Sequence, residues 1–325
     1  MKIQRIVVRH HGAPGVMELI NDELSAPSAT EVQVEHRAVG INLADTYFRS
    51  GLYPGKTPIG LGVEGAGIVT AVGAEIDKFS VGDRVTYTSS PLGAYCTARN
   101  MPIDSLIPLP QDIAFDTAAA STMRGLTASY LLKSIWDLQQ GDTVVIQAAA
   151  GGVGLLFCQM ASAIGLNVIG VVGRDEKKEL AKNAGCIAVY NSKTDDVVAG
   201  VKESTNGRGA HMVVDGVGKD TFDMSLACVR RRGLMVCLGT ASGPVAPFDP
   251  PLLMRKGSIY VTRPAMADYI ADPAEKQELI NFYFSHLLNG TVKVLINQRW
   301  SLDQAVEAHE SLEAGSTTGS SIFEM

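Results

Sequence analysis

Apolar and polar positions follow two different rhythms along this 325-residue chain. Up to about residue 124 the apolar runs are short, β-branched and closed by glycine. Residues 33–39 (QVEHRAV) half-alternate and stop at Gly40, and residues 65–73 (GAGIVTAVG) form a β-branched run between glycines. Residues 83–87 (DRVTY) follow the turn signal Val81-Gly82-Asp83. Runs of this kind predict strands, and many short strands with glycine turns predict a β-rich, barrel-like or irregular antiparallel domain.

From about residue 125 strands and helices alternate. Residues 143–147 (TVVIQ) read as a short apolar strand, followed by a glycine-rich turn and an apolar helix over 153–164. A strand at 168–172, a charged helix near 176–184 and a strand at 187–190 come next. The pattern repeats with a strand at 212–215, a helix near 221–229 and a strand at 234–238. Strands alternating with helices predict a parallel, doubly wound sheet. After residues 258–262 and Pro264 the pattern breaks: an amphipathic helix over 273–289, a helix near 303–313 and a strand-like tail are expected to return to the first domain. The expected division is 1–124, 125–264 and 265–325.

Composition narrows the function. Net charge is −6, which disfavours a nucleic-acid surface. No apolar run reaches the roughly 18–20 residues needed to span a bilayer, and the start, MKIQRIVVRHHG, lacks the apolar core of a signal peptide. A cytoplasmic protein is the expectation. Cys96, Cys158, Cys186, Cys228 and Cys237 show no C-x-x-C spacing and read as buried, reduced thiols.

The segment Gln147-Ala148-Ala149-Ala150-Gly151-Gly152-Val153-Gly154 ends a strand and opens a helix. That is the context of a dinucleotide pyrophosphate site: glycines admit the phosphates to the backbone, and the helix N-terminus offers free N–H groups and a positive dipole end. The spacing departs from G-x-G-x-x-G, because Ala149 stands at the first glycine. An NAD site places Asp or Glu at the tip of the next strand. Here the tip reads Val171-Val172-Gly173-Arg174, with Lys177 and Lys178 following, a cationic setting that favours the 2′-phosphate of NADPH. Ser192 and Lys193, after the next strand, are within the same reach. A solvated helix face beside Asp175 and Glu176 is the alternative for these cations.

With AAAGGVGLLFCQMA, the runs GINLADTYFRSGLYP, GLGVEGAGIVTAVG and RRRGLMVCLG resemble the medium-chain dehydrogenase/reductase superfamily, in its zinc-free, zeta-crystallin-like quinone oxidoreductase branch. The resemblance implies an α/β protein with a GroES-like catalytic domain split around a Rossmann domain, a cleft between them for nicotinamide and substrate, and a homodimer paired through edge strands near 257–262. It implies cofactor contacts at Gly152, Val153, Gly173, Lys177, Gly239 and Arg263, beside which the residues themselves offer Gly151, Arg174 and Ser192 for the phosphates and Asn42 and Thr127 for the rest of the cofactor. Two positions depart from the pattern: Ser192 replaces a tyrosine, and Gly315 replaces a basic residue.

The catalytic zinc ligands of relatives align with Asn42, Val63 and Met123. Valine cannot ligate a metal, and an amide and a thioether are poor ligands for a dication, so no zinc is expected. His10 and His11 read as surface imidazoles. The proton-relay hydroxyl is replaced by Ala44. Alcohol oxidation is thereby unsupported, while hydride transfer to an electron-poor quinone needs only modest polarisation. Asn42, Asp45, Tyr47 and Tyr53 are the expected catalytic residues, with Arg124 and Thr127 as further candidates and packing as the alternative for each. The rival functions are an NADPH-dependent enoyl or alkenal double-bond reductase, and a non-catalytic NADPH- or RNA-binding protein. For the last, the triplet Arg230-Arg231-Arg232 would serve, against a plain reading as a solvated helix end before Gly233.

Overall fold

The β-branched runs are extended, as their stiff side chains favour, in the computed structural model of the chain, which describes residues 1–89 and 91–325. In chain order the first stretch carries β1 (Lys2–Val8), β2 (Met17–Glu23), β3 (Glu31–Ile41), helix α1 (Leu43–Ser50), β4 (Ile59–Gly60) and β5 (Glu64–Val72). It continues with β6 (Arg84–Thr88), β7 (Ala98–Pro102), β8 (Leu106–Pro108) and helix α2 (Phe115–Lys133). The middle carries β9 (Thr143–Gln147), α3 (Gly152–Ala163), β10 (Asn167–Val172), α4 (Lys178–Asn183), β11 (Ala188–Asn191), α5 (Val197–Ser204) and β12 (Ala210–Asp215). There follow α6 (Phe222–Cys228), β13 (Val229–Cys237), α7 (Pro251–Arg255), β14 (Tyr260–Thr262), α8 (Met266–Tyr269) and α9 (Pro273–Leu288). The end adds β15 (Ile296–Trp300), α10 (Ala305–Glu313) and β16 (Ser320–Glu324).

The first unit comprises residues 1–124 and 294–325. A three-stranded sheet, β2-β1-β4, accompanies a seven-stranded one, β15-β16-β3-β5-β6-β8, in which β7 also pairs with β3. Val34, Ile41, Val69, Val85, Tyr95 and Phe323 fill its core. Each such aliphatic side chain removed from water contributes about 1.5–3 kcal/mol. The tail joins because β16 lies antiparallel on β3, with Ile322 opposite Gly40.

The second unit spans residues 125–293. Its six-stranded parallel sheet has the order β11-β10-β9-β12-β13-β14. Counted from β9, that is 3-2-1-4-5-6, the order of a dinucleotide-binding fold, with the reversal between β9 and β12. Val145, Ile169, Val171 and Val213 are fully buried, as strands covered on both faces require.

Two expectations change. The sequence pattern returned the chain to the first domain at 265, but residues 265–293 group with the second unit. The reason is aromatic packing. Tyr269 stacks on Tyr130 of α2 with ring centroids 4.4 Å apart, and the ring of Tyr283, in α9, lies where a Cβ on Gly125 would stand. The arginine triplet also does not end a helix: α6 stops at Cys228 and β13 starts at Val229, opposite Ala210, so Arg230–Arg232 stand on a strand. All five cysteines are free and buried, with the sulfurs of Cys158 and Cys186 3.4 Å apart. Among the described residues no helix is long and apolar enough to cross a membrane.

Candidate active site

In the second unit the chain leaves β9 through Ala148, whose φ of 53° starts the turn. Ala149 N–H donates to the carbonyl of Val171 at 3.0 Å, which seats the turn on β10. Ala149 replaces the usual first glycine because space is made across from it. A Cβ on Gly170 of β10 would come within 2.9 Å of the Ala149 methyl. The missing glycine has in effect moved to the neighbouring strand. Gly154 is held by backbone: a Cβ there would meet the Ala149 carbonyl at 2.7 Å. Gly151 caps α3 without a side chain, so the cap itself leaves the first-turn amides at Gly152 and Val153 uncovered.

At the tip of β10 the cations separate into two roles. Lys178 is committed to Asp175 and Asp195, both at 2.8 Å. Lys177 stands beside Arg174; burial, and then the Arg174 charge, hold the Lys177 ammonium below its ordinary range. Like charges held together disfavour each other unless an anion lies between them. Gly173 adds room, because a Cβ there would meet nothing within 4 Å. Its lack of a side chain is therefore not demanded by packing. Ser192 N–H donates to Val172 at 2.8 Å, which puts Ser192 beside the same strand end.

Beyond the reversal, Asp215 at the end of β12 is buried and receives the amides of Val217 and Gly218 and the hydroxyls of Thr221 and Ser225. Gln147 ties Ser225 back to β9 at 2.9 Å. Gly239 fits because its missing Cβ would run into the Gly216 carbonyl. A cavity of about 420 Å³ opens at the ends of β13 and β14, lined by Cys237, Thr240, Val245, Phe248, Thr262 and Arg263, with Val261. Thr127 is buried in α2, its hydroxyl 4.0 Å from the Met266 sulfur.

In the first unit Asn42 ends β3 and caps α1. Asp45 accepts the Asn42 N–H at 2.7 Å, and the Asn42 side-chain amide donates to Glu64 at 2.9 Å. Glu64 has no exposed surface; its other oxygen accepts the Met123 N–H at 2.6 Å, and Arg124 lies 3.7 Å away. Burial pushes the Glu64 carboxyl up to about 7 against the pull of Arg124. Asp45 is pushed up to about 7 for the same reason, against the Asn42 amide and the Tyr95 hydroxyl. Arg124 is occupied by the carbonyls of Ala120 (2.5 Å) and Ile41 (2.6 Å), which makes it an anchor of α2 on β3. Asp45 is also fully buried, and its Oδ2 accepts both the Asn42 N–H and the Tyr95 hydroxyl. Tyr47 and Tyr53 are half-buried and meet edge to face at 5.1 Å. His11 is tied by hydrogen bonds to the carbonyls of Phe48 and Gly55.

Glu64 is the residue that sequence reasoning missed. Its only signal was a lone acid inside the apolar run GLGVEGAGIV, which is costly there unless paired. The three aligned zinc positions do not fit a metal. The Val63 side chain has no donor atom, the Asn42 amide nitrogen is turned to Glu64, and Met123 offers only a thioether, a poor ligand for a dication.

The strand order and glycine turn define a dinucleotide-binding oxidoreductase built on two units. Comparison with known proteins agrees. Residues 28–133 match the family described as alcohol dehydrogenase GroES-like domain, and residues 152–285 match zinc-binding dehydrogenase. A curated quinone oxidoreductase of Salmonella typhimurium is 45% identical, covering 98% of each chain. A 2-haloacrylate reductase of a Burkholderia species is 35% identical over 99% of this chain and 98% of its own. The crystal structure of Escherichia coli quinone oxidoreductase complexed with NADPH superposes with a TM-score of 0.96 at 43% identity, covering 99% of this chain and 100% of the other. The chain belongs to the quinone oxidoreductase family of the medium-chain dehydrogenase/reductase superfamily.

Proposed function

We propose that this protein reduces quinones with NADPH, without flavin or zinc. The carrying observation is the tip of β10, where Gly173 leaves open space and Arg174 and Lys177 bring two cations together. The similarity to the NADPH complex of the E. coli enzyme supports the same reading. NADPH supplies two electrons and a proton, as a hydride from C4 or in single-electron steps; with one proton from solvent, a quinone becomes a hydroquinone and NADP⁺ is left.

The chain supplies binding and orientation, which carry much of the rate in such a transfer. Gly151, whose own N–H is taken by the Ala148 carbonyl at 2.8 Å, leaves room for the pyrophosphate, which the amides of Gly152 and Val153 would receive; Arg174, Lys177 and Ser192 would receive the 2′-phosphate. Gly239, Arg263 and Thr127 border the nicotinamide half. Asn42 hydrogen-bonds the carboxamide, ribose or acceptor oxygen, held in place by Asp45 and Glu64. The Tyr47–Tyr53 pair offers ring faces and edges to a planar acceptor.

One relative favours a second reading. The 2-haloacrylate reductase acts, by its name, on an activated double bond. Metal-free protein assayed by loss of NADPH absorbance should turn over a 1,4-quinone faster than 2-chloroacrylate or a 2-alkenal, and NADH should serve less well. Turnover with the alkenes alone would replace the quinone reading with double-bond reduction. Tight NADPH binding without turnover would leave only a binding role.

The protein is further proposed to be a homodimer joined through β14. That strand is the sheet edge, and Tyr260 on it is 54% exposed. An uncovered edge strand is a template for pairing with a second copy. Sedimentation should give the dimer mass for the parent chain and the monomer mass for Tyr260→Lys. A dimer undisturbed by that charge would place the interface elsewhere.

A further inference from the structure

A chain of buried polar groups runs from the start of α1 into α10. Arg49 lies 3.0 Å from His309 Nδ1, and its other terminal nitrogen pairs with Glu313 at 2.6 Å. His309 Nε2 is 3.0 Å from the Tyr95 hydroxyl, and that hydroxyl is 2.9 Å from Asp45 Oδ2. The same Asp45 oxygen accepts the N–H of Asn42. Asp45 and His309 are wholly buried, Tyr95 is 1% exposed and Arg49 2%. Only Glu313, at the far end, reaches solvent.

The hydrogens in this chain have one consistent arrangement. A guanidinium only donates, so His309 Nδ1 must be the acceptor. The ring proton then sits on Nε2 and points at the Tyr95 oxygen. Tyr95 has one hydrogen, which is left to go to Asp45. Each hydrogen is placed by the group before it, starting from a cation that cannot lose its proton. Burial, and then the Arg49 charge, hold the imidazole down to about 3, which keeps it neutral and preserves the order.

We infer that His309 is a positioning residue for the reaction: through Tyr95 and Asp45 it fixes the backbone of Asn42, and with it the direction of the Asn42 side chain. This rests on the assignment of Asn42 under the proposed function. His309 touches neither substrate nor cofactor in this account. What it contributes is an acceptor toward Arg49 and a donor toward Tyr95, in that order. A primary amide can reproduce this pattern, since its oxygen and nitrogen are spaced much like the two ring nitrogens.

The test compares His309→Gln, His309→Leu and Tyr95→Phe in NADPH-dependent quinone reduction, with NADPH binding and thermal unfolding measured on each. His309→Leu and Tyr95→Phe should each lower kcat about tenfold while the Kd for NADPH stays within about twofold, because a broken hydrogen bond in a buried network is felt locally. His309→Gln should recover most of kcat. The double variant His309→Leu/Tyr95→Phe should lose no more than the worse single one, as expected for groups acting in one chain. If His309→Leu does not fold, Tyr95→Phe, which removes one oxygen, still decides the matter. Unchanged kcat in Tyr95→Phe, or a His309→Gln variant as poor as His309→Leu, would overturn the inference. A parent protein inactive on quinones but tightly bound to NADPH would overturn the function while leaving the hydrogen order open to direct measurement by imidazole nitrogen NMR. There a proton found on Nδ1 would overturn the order itself.

Discussion

Replacing Gly152 by Val should weaken NADPH binding about a hundredfold or more, and NADH by a similar factor. Gly152 opens α3 directly after its Gly151 cap, which has no side chain to cover the first amides. A pyrophosphate reaches such amides only if nothing projects over them, and a β-branched side chain would stand in its way. Losing even one or two charge-assisted hydrogen bonds costs about 1.5–3 kcal/mol each, and about 1.4 kcal/mol is tenfold in affinity. Both cofactors share the pyrophosphate, so both should suffer. Fluorescence titration with each, alongside an unfolding curve to show that the sheet persists, reads this out. A folded variant that binds NADPH normally would remove the turn from the site.

Lys177→Glu separates the cofactors. Lys177 and Arg174 stand together at the tip of β10, whereas Lys178 is neutralised by two aspartates. Reversing the charge at Lys177 replaces attraction for a 2′-phosphate with repulsion. NADPH should weaken about tenfold to a hundredfold, while NADH, which carries a hydroxyl there, changes by no more than about threefold. The effect on NADPH should shrink as salt rises, because the site opens to solvent. Lys178→Glu is the contrasting variant: it should disturb the Asp175–Asp195 contacts and stability more than the choice of cofactor. Equal loss of NADPH and NADH in Lys177→Glu would move the 2′-phosphate to other residues.

Much of this was legible in local pattern. The repeated strand–helix rhythm after residue 125 produced the parallel sheet, and the glycines after β9 lie where a strand must turn into a helix. Both follow from short-range physics: side-chain alternation, helical spacing and the conformations glycine allows. Gly315 is a case read only halfway. It was noted as a missing basic residue, and in the structure it follows α10 with φ of 63°, the left-handed geometry that ends a helix.

The charged residues were decided elsewhere. Lys178 meets Asp195, 17 positions away. The Asn42–Glu64 bond joins two strands' ends across 22 positions, and the His309 contacts reach back 214 and 260 positions. The arginine triplet falls inside β13, in the irregularity between its Val229–Ala210 and Leu234–Met212 pairs with β12. The sequence by itself determined the strand–helix alternation after residue 125 and the place of the dinucleotide turn, since those depend on residues close along the chain. Only the tertiary structure decided which polar groups are buried, which are paired and which stay open to a ligand. The cost of burying a charge is set by whatever distant partner the fold brings to it.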